Sequence, residues 1–360
     1  MANYPTSETD RRVDAGALVA VSDAIFQACG MGIKDAALLA DSLVHADLRG
    51  VHSHGVLRIP DYVHKMNGGG GVDPTASPSL ISQKNGAIVV DGNNNMGQIG
   101  ASFAMDIAID AARKNGIALA AMRGSNHCGA LDWYTLRAAS QGMIGIVASN
   151  ALPTMAPVGG RDKIVGMNPI SIAIPGTNEP PVVLDLAFGA TAHGKIRVYH
   201  QKGLPIPDGW AFDAEGEPTT DAGVALNGLI QPAGGHKGIA LAMMVGMLST
   251  LLSGAKYGTG LGDMVQGPIA GNDGQFFIAI DIAAFRPLAE FGPDVDDIVA
   301  EIHNSARRDP TTALLVPGEM ERQYEQDYAK AGILLPAETL DDIKATGQSL
   351  GLDASQLAAL

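Results

Sequence analysis

The sequence of 360 residues predicts an α/β protein whose two chain ends supply helices around a central sheet. Three observations carry that expectation. Apolar residues recur at helical spacing in the N-terminal stretch and again, among acidic residues, from Pro293 onward. Between these ends, short runs rich in Val, Ile and Ala alternate with helix-period segments. No GxGxxG fingerprint joins a strand to a helix, and no Walker-type phosphate loop occurs, so the sheet is not expected to be of Rossmann type.

The elements follow in order. Residues 14–27 and 33–48 each read as helices, with Leu39, Leu43 and Ala46 sharing a face. Gly30 and Gly50 stand where glycine stops a helix. Pro60 suits the first turn of a third helix, which ends in the glycine run 68–71. Strands are expected at 80–83 and 87–91, joined by an Asn85-Gly86 turn. A loop at 93–97 and a helix at 101–114 follow, the helix stopped by Asn115-Gly116. A strand at 117–122 then delivers the polar loop Gly124-Ser125-Asn126-His127-Cys128-Gly129 to a helix at 130–141. Strands at 143–149, 170–174 and 182–186 have Asn150, Asn168 and Asp185 at their ends. Gly234-Gly235-His236-Lys237 opens an uncharged helix at 239–252, read as buried core. The stretch 275–281 reads as the last strand, and Pro317-Gly318-Glu319 starts a helix of the tail. No internal repeat is present.

Composition narrows the class. Hydrophobic residues at 46% against 17% charged exclude disorder and point to two packed domains with a subunit interface. A net charge of −14 argues against nucleic acid and anionic membranes as partners, yet leaves room for an anionic substrate in a local basic pocket. Cys29 and Cys128 form no CxxC pair and read as reduced thiols of a cytoplasmic protein. The N-terminal stretch has no apolar h-region, so no secretory signal is expected, and residues 238–255 are short for a bilayer span.

Chemistry concentrates in residues 45–62, HADLRGVHSHGVLRIPDY. His54 lies between Ser53 and Gly55, and Arg58 follows at a spacing that lets both side chains reach one small molecule. An imidazole that carries a proton and a guanidinium that clamps a carboxylate suit the reduction of a 2-oxo acid. The same stretch also allows a metal-dependent hydrolase or lyase, because His45, Asp47, His52 and His54 are all metal-competent. Each histidine can equally be a polar core residue bonded to backbone.

Further motifs stand in a fixed order: RGVHSHGVLRIPDY, SNHCGALDWY, GMNPISIAIP, VVLDLA followed by HGKI, GWAFDAEGEPTTD, and GGHKGIALAMMVGMLSTLLSGA. From about residue 13 to about residue 332 the chain resembles the type 2 malate/L-lactate dehydrogenase family. That family also includes sulfolactate and ureidoglycolate dehydrogenases, 2,3-diketogulonate reductase and a piperideine-2-carboxylate reductase. The resemblance implies a non-Rossmann nicotinamide-binding fold with a mixed sheet, NAD or NADP as cofactor, a small carboxylate substrate and a homodimer. It implies no metal. It also implies a helical substrate and dimerisation part from residues 1–120 with 285–360, and a central cofactor-binding domain at 121–284. The expected reaction interconverts a malate- or lactate-like 2-hydroxy acid and its 2-oxo acid. Reduction of a cyclic imino acid is the alternative, and a scaffold without activity a further one.

Site residues carried over by motif are His54 as proton donor/acceptor, with Ser53 beside it and Asp185 orienting it. His127 is the rival for the acid/base role. Arg58 and Tyr62 would bind substrate, Arg58 as the carboxylate clamp, with Arg49 in reserve or paired structurally with Asp47. Cofactor contacts would come from Asn150, Asp185, Leu186, Ala187, His236, Lys237, Pro317, Gly318 and Glu319. The chain departs from the usual family pattern at Phe188-Gly189, at His193 and at Cys128, so cofactor preference is not transferable from any one relative.

Overall fold

The chain enters through a short strand, β1 (Arg11–Val13), and then α1 (Ala15–Ala28), whose first turn is capped by the Asp14 carboxylate accepting from the Ala17 amide at 2.9 Å. Gly30, at φ +90°, turns the chain into α2 (Ile33–Leu48). Leu18, Ile25 and Phe26 of α1 and Leu39 and Leu43 of α2 are buried, as their spacing predicts. Two single 3-10 turns, His52–His54 and Val56–Arg58, connect α2 to α3 (Ile59–Asn67), with Pro60 in its first turn. The computed structural model describes residues 8–67, 70–262, 271–358 and 360, so two glycines of the 68–71 run lie outside the described residues.

The middle of the chain builds the sheet. Strands β2 (Ser79–Lys84) and β3 (Ala87–Asp91) form a hairpin whose Asn85 has φ +52°. A Cβ on Gly86 would fall 2.3 Å from the Ile117 carbonyl oxygen, which requires glycine in that turn. Next come α4 (Gly97–Asn115), β4 (Ile117–Ser125), α5 (Asp132–Ala139) and β5 (Met143–Ser149). A short pair, β6 (Pro153–Met155) and β7 (Val165–Gly166), precedes β8 (Ile170–Ile174) and β9 (Val182–Leu186). Helix α6 (His193–Gln201), β10 (Ala211–Phe212), β11 (Pro218–Thr219), α7 (Ala222–Asn227) and β12 (Leu229–Ile230) form a small unit ahead of α8 (His236–Leu251).

Strand β13 (Asp273–Asp281) completes a seven-stranded sheet of order β2-β3-β4-β13-β5-β8-β9. The β3–β4 pair is parallel and the other neighbours are antiparallel, so the sheet is mixed. Alternation along β13 splits the core: Phe277 packs with Ile109 of α4 and Tyr134 of α5, while Phe276 packs with Ile239 and Val245 of α8.

The tail returns to the N-terminal helices. After α9 (Leu288–Asn304) and α10 (Glu319–Ala331), strand β14 (Ile333–Leu335) pairs antiparallel with β1, and α11 (Ala337–Ser349) follows. One apolar cluster holds Leu18, Phe26, Leu39 and Ile59 together with Ile333, Leu335, Leu340 and Ile343.

Three expectations need correction. The stretch 275–281 is not the last strand, because β14 follows; a three-residue strand was too short to show a period. The division expected at residue 120 runs through β4, and strands from both sides of it share one sheet. Helix α8 is not plain core. Ile239, Ala242 and Val245 are buried, but Leu241, Met244, Leu248 and Leu251 are 47–69% exposed along one stripe. Among the described residues no helix is long and apolar enough to cross a membrane.

Candidate active site

The His-Ser-His turn is braced from below by Asp47, near the C-terminus of α2. Its fully buried carboxylate lies 2.7 Å from His52 Nδ1 through one oxygen and accepts from the Val56 amide at 2.7 Å through the other. Burial raises its pKa, against the pull of His52 and the Val56 amide. A Cβ on Gly55 would lie 2.2 Å from this carboxylate, so the turn can close only over glycine.

Above the brace, Ser53 Oγ is 2.9 Å from His54 Nδ1. Arg58 donates from Nε to the Ser53 carbonyl oxygen at 2.7 Å and pairs with Asp61 at 3.0 Å through Nη1. His127, from the loop after β4, stacks on His54 with ring centroids 5.4 Å apart and planes at 18°. The His127 Nδ1 is 2.6 Å from the buried Tyr62 hydroxyl of α3. Neither His54 Nε2 nor His127 Nε2 has a hydrogen bond among the described residues.

Charge sets the protonation states. Burial first, and the Arg58 guanidinium second, push the His54 pKa down to about 4, with Asp132 opposing. Burial, His54 and Arg58 likewise hold His127 well below the ordinary imidazole range. Both rings are therefore neutral at pH 7. Cys128 is buried, and its thiol is pushed up to about 12 by burial and by Asp273 and Asp185, so it is no nucleophile at neutral pH.

Asp185, near the end of β9, accepts from the amides of Leu131 and Asp132 at 2.8 Å each, at the start of α5. Burial and the neighbouring Asp132 carboxylate raise its pKa. The residue nonetheless keeps solvent-exposed surface. Asp132 itself is held down by His45 and Arg49 against the effect of burial. Arg49 donates to it from Nε at 2.6 Å and reaches Glu325 of α10 at 3.2 Å, while His45 Nε2 lies 3.4 Å away.

The segment after β9 runs beside the one that leads into α8. Phe188 O accepts from Ala233 N at 2.9 Å, Gly189 bridges Pro232, and Ala190 N donates to Gln231 O at 2.7 Å. Gly234 and Gly235 then turn at φ +69° and +63° into an N-terminus with no side-chain cap, leaving His236 and Lys237 exposed. On the other side of β9, Val183 N donates to Pro317 O at 2.9 Å, and a Cβ on Gly318 would sit 3.0 Å from Val183.

Residues 13–344 match the profile of the family described as malate/L-lactate dehydrogenase. The chain belongs to that family. It is 36% identical over 327 residues to a malate dehydrogenase of Pyrococcus abyssi, covering 89% of each chain. It is similar to the solved sulfolactate dehydrogenase of Methanocaldococcus jannaschii at 34% identity and a TM-score of 0.89, over 96% of this chain and 99% of that one. It is also similar to a Δ1-piperideine-2-carboxylate reductase of Pseudomonas syringae, at 29% identity and a TM-score of 0.83 over 93% and 99% of the two chains.

As a malate/L-lactate dehydrogenase family member the chain is an oxidoreductase, and its motif residues separate into two groups. Ser53, His54, Arg58, Tyr62 and His127 come together. Others have different partners from those expected. Asp185 bonds to amides of α5 and makes no hydrogen bond to His54; the carboxylate whose charge raises His54 is Asp132. Arg49 is buried against Asp132 and Glu325, not paired with Asp47 and not free for substrate. Asn150 spends Nδ2 on Lys256 O and Oδ1 on Gly274 N, tying β5 to β13. Glu319 binds His303 at 2.9 Å and accepts from the Val316 amide. The metal-competent set is divided too: His45 goes to Asp132, Asp47 to His52, and His54 to Ser53. Among the described residues no three His, Cys, Asp or Glu are placed to hold a metal ion. Asp132, whose charge acts on both His54 and Asp185, was not legible as their neighbour; its place in SNHCGALDWY was the one available signal.

Proposed function

We propose that the chain interconverts a 2-hydroxy acid and its 2-oxo acid using NAD or NADP, with His54 carrying the proton and Arg58 holding the carboxylate. The observation that carries this reading is the His54–His127 stack with Arg58 tethered to the Ser53 carbonyl, two neutral imidazoles beside one cation. In the oxidising direction neutral His54 accepts the C2 hydroxyl proton at Nε2, and in the reducing direction it returns it. Arg58 retains Nη2 for the substrate carboxylate. A bound carboxylate would offset the guanidinium charge and raise the His54 pKa, making the proton easier to hold once substrate is present.

The residues present suit a nicotinamide cofactor. Gly234 and Gly235 have open space where a Cβ would stand, α8 begins uncapped, and Lys237 is exposed beside it. The Asp185-Leu186-Ala187 edge leads into the segment 188–190, which pairs with residues 231–233 just ahead of this turn. When bound, the cofactor accepts or delivers the C2 hydrogen as hydride. The mostly antiparallel sheet supports a binding fold other than the Rossmann type. Two buried free thiols suit the cytoplasm, and the exposed apolar stripe of α8 suits a homodimer.

A second reading, reduction of a cyclic imine carboxylate, is favoured by the likeness to the piperideine carboxylate reductase, since the same guanidinium and imidazole would serve a C=N bond. Assay of malate, lactate, sulfolactate and a piperideine carboxylate with both cofactors tests the reading. Turnover of a hydroxy acid is the expected result; turnover of the imine alone selects the second reading, and none with any of them rejects both.

A further inference from the structure

His127 has its Nδ1 surrounded by donors. The Tyr62 hydroxyl is 2.6 Å away, too close for a ring carbon, so this edge of the ring is nitrogen. Tyr62 is 1% exposed, and burial raises its pKa, which keeps the phenol protonated. Gln98, in the first turn of α4 and fully buried, donates from Nε2 to the Tyr62 oxygen at 3.0 Å. That oxygen therefore accepts from Gln98 and has its own proton left for His127.

The amide of Gln98 can be written the other way round, because its Oε1 has no partner. Turned over, it would take the Tyr62 proton and require Nδ1 to carry one. The backbone decides between the two. The Gly129 amide points at the same Nδ1 from 3.4 Å, and a backbone N–H can only donate. A protonated Nδ1 would set N–H against N–H. The loop is closely packed around this contact: a Cβ on Gly97 would lie 2.1 Å from Asn126 O, and one on Gly129 would lie 3.1 Å from Gln98 Nε2.

We infer that Tyr62, held by Gln98, and the Gly129 amide lock His127 as the Nε2–H tautomer, so that it serves as a fixed neutral donor to the substrate's C2 oxygen, with Gln98 as its positioning residue. The substrate half of this rests on the function proposed above; the tautomer does not. A neutral N–H aimed at an oxygen that gains charge stabilises the alkoxide without competing with His54 for the proton. The stacked pair thereby divides the work. His54 moves the proton, and His127 keeps its own.

Two-bond proton–nitrogen correlation spectra of the full-length protein labelled with [15N]histidine test this, with His127 assigned by its loss in His127→Gln. The expected wild-type pattern is the Nε2–H tautomer, unchanged from pH 6 to pH 9. In Tyr62→Phe the nearer donor is gone, and in Gln98→Glu an ionised carboxylate draws the Tyr62 proton away, so only the longer Gly129 contact still favours Nε2–H and both should show a mixture that contains the Nδ1–H form. Both should lose kcat by about tenfold or more with KM for the hydroxy acid little changed. A wild-type Nδ1–H pattern, or a ring that titrates in this range, overturns the lock, and this spectrum is readable even if a variant does not fold. A variant that has lost the lock yet turns over like the wild type overturns its part in catalysis. Absence of hydroxy-acid turnover in the wild type counts against the proposed function and leaves the tautomer result standing.

Discussion

The His54 imidazole is depressed by burial and by Arg58, and two consequences follow at the scale of single residues. In the free enzyme, kcat/KM for hydroxy-acid oxidation should hold down to about pH 4, where His54 takes a proton, and should not fall off near the ordinary 6.5. The sign for stability is the same. A pKa lowered on folding means that the unfolded chain binds more protons between the two values. The contribution is therefore complete above 6.5 and is lost as the pH falls through about 4, and His127 adds to it. The carboxyls that burial raises, Asp47 and Asp185, act with the opposite sign, so thermal melts compare the wild type with His54→Gln: a Tm difference between the two that does not change from pH 7 to pH 5 contradicts it. Arg58→Lys keeps a charge but not the planar fork, so KM should rise by about tenfold or more, exceeding the change in kcat. Steady-state kinetics separate the two parameters. That Arg58 comes close to His54 was legible because they stand four apart in one polar stretch. The part played by Asp132 was not, since its charge reaches His54 only after α5 folds against α2 and β9.

At the scale of elements, the turn between α2 and α3 depends on one buried carboxylate. Asp47→Ala leaves the Val56 amide without its carboxylate acceptor, removes one contact of His52, and should lower stability by about 1–3 kcal/mol. Gly55→Ala forces a methyl group into that carboxylate and should cost a similar amount while displacing His54. Calorimetry with parallel kcat measurements checks both; a Gly55→Ala protein of unchanged Tm and kcat would contradict the brace. Strands 143–149, 170–174 and 182–186 were legible to the residue, because each is a short apolar run flanked by polar or proline punctuation. Helix ends were less so. The start of α4 at Gly97 is fixed by close packing against the Asn126 and His127 carbonyls, a tertiary contact that no local pattern announces.

At the scale of the molecule, both chain ends close on one apolar cluster, and β14 zips against β1. The helical period was visible in each end, but their union was not, because pairing across such a separation leaves no mark in local sequence. The same limit explains α8. An uncharged helix reads as core whether its second face meets its own chain or another, and here Leu241, Met244, Leu248 and Leu251 face outward. If that stripe joins two copies, Leu248→Glu combined with Met244→Lys should shift the protein from dimer to monomer in sedimentation experiments, with the fold retained. A double variant that sediments like the wild type would place the interface elsewhere.

The division of labour between the stacked histidines is the central claim. Its most direct test compares His54→Ala and His127→Ala under saturating hydroxy acid and cofactor. His54→Ala should lose about a hundredfold to ten-thousandfold in kcat. His127→Ala should lose about a hundredfold and keep the wild-type pH dependence of hydride transfer. Near-normal turnover in His54→Ala, beside a His127→Ala enzyme whose pH dependence has vanished, would contradict the account.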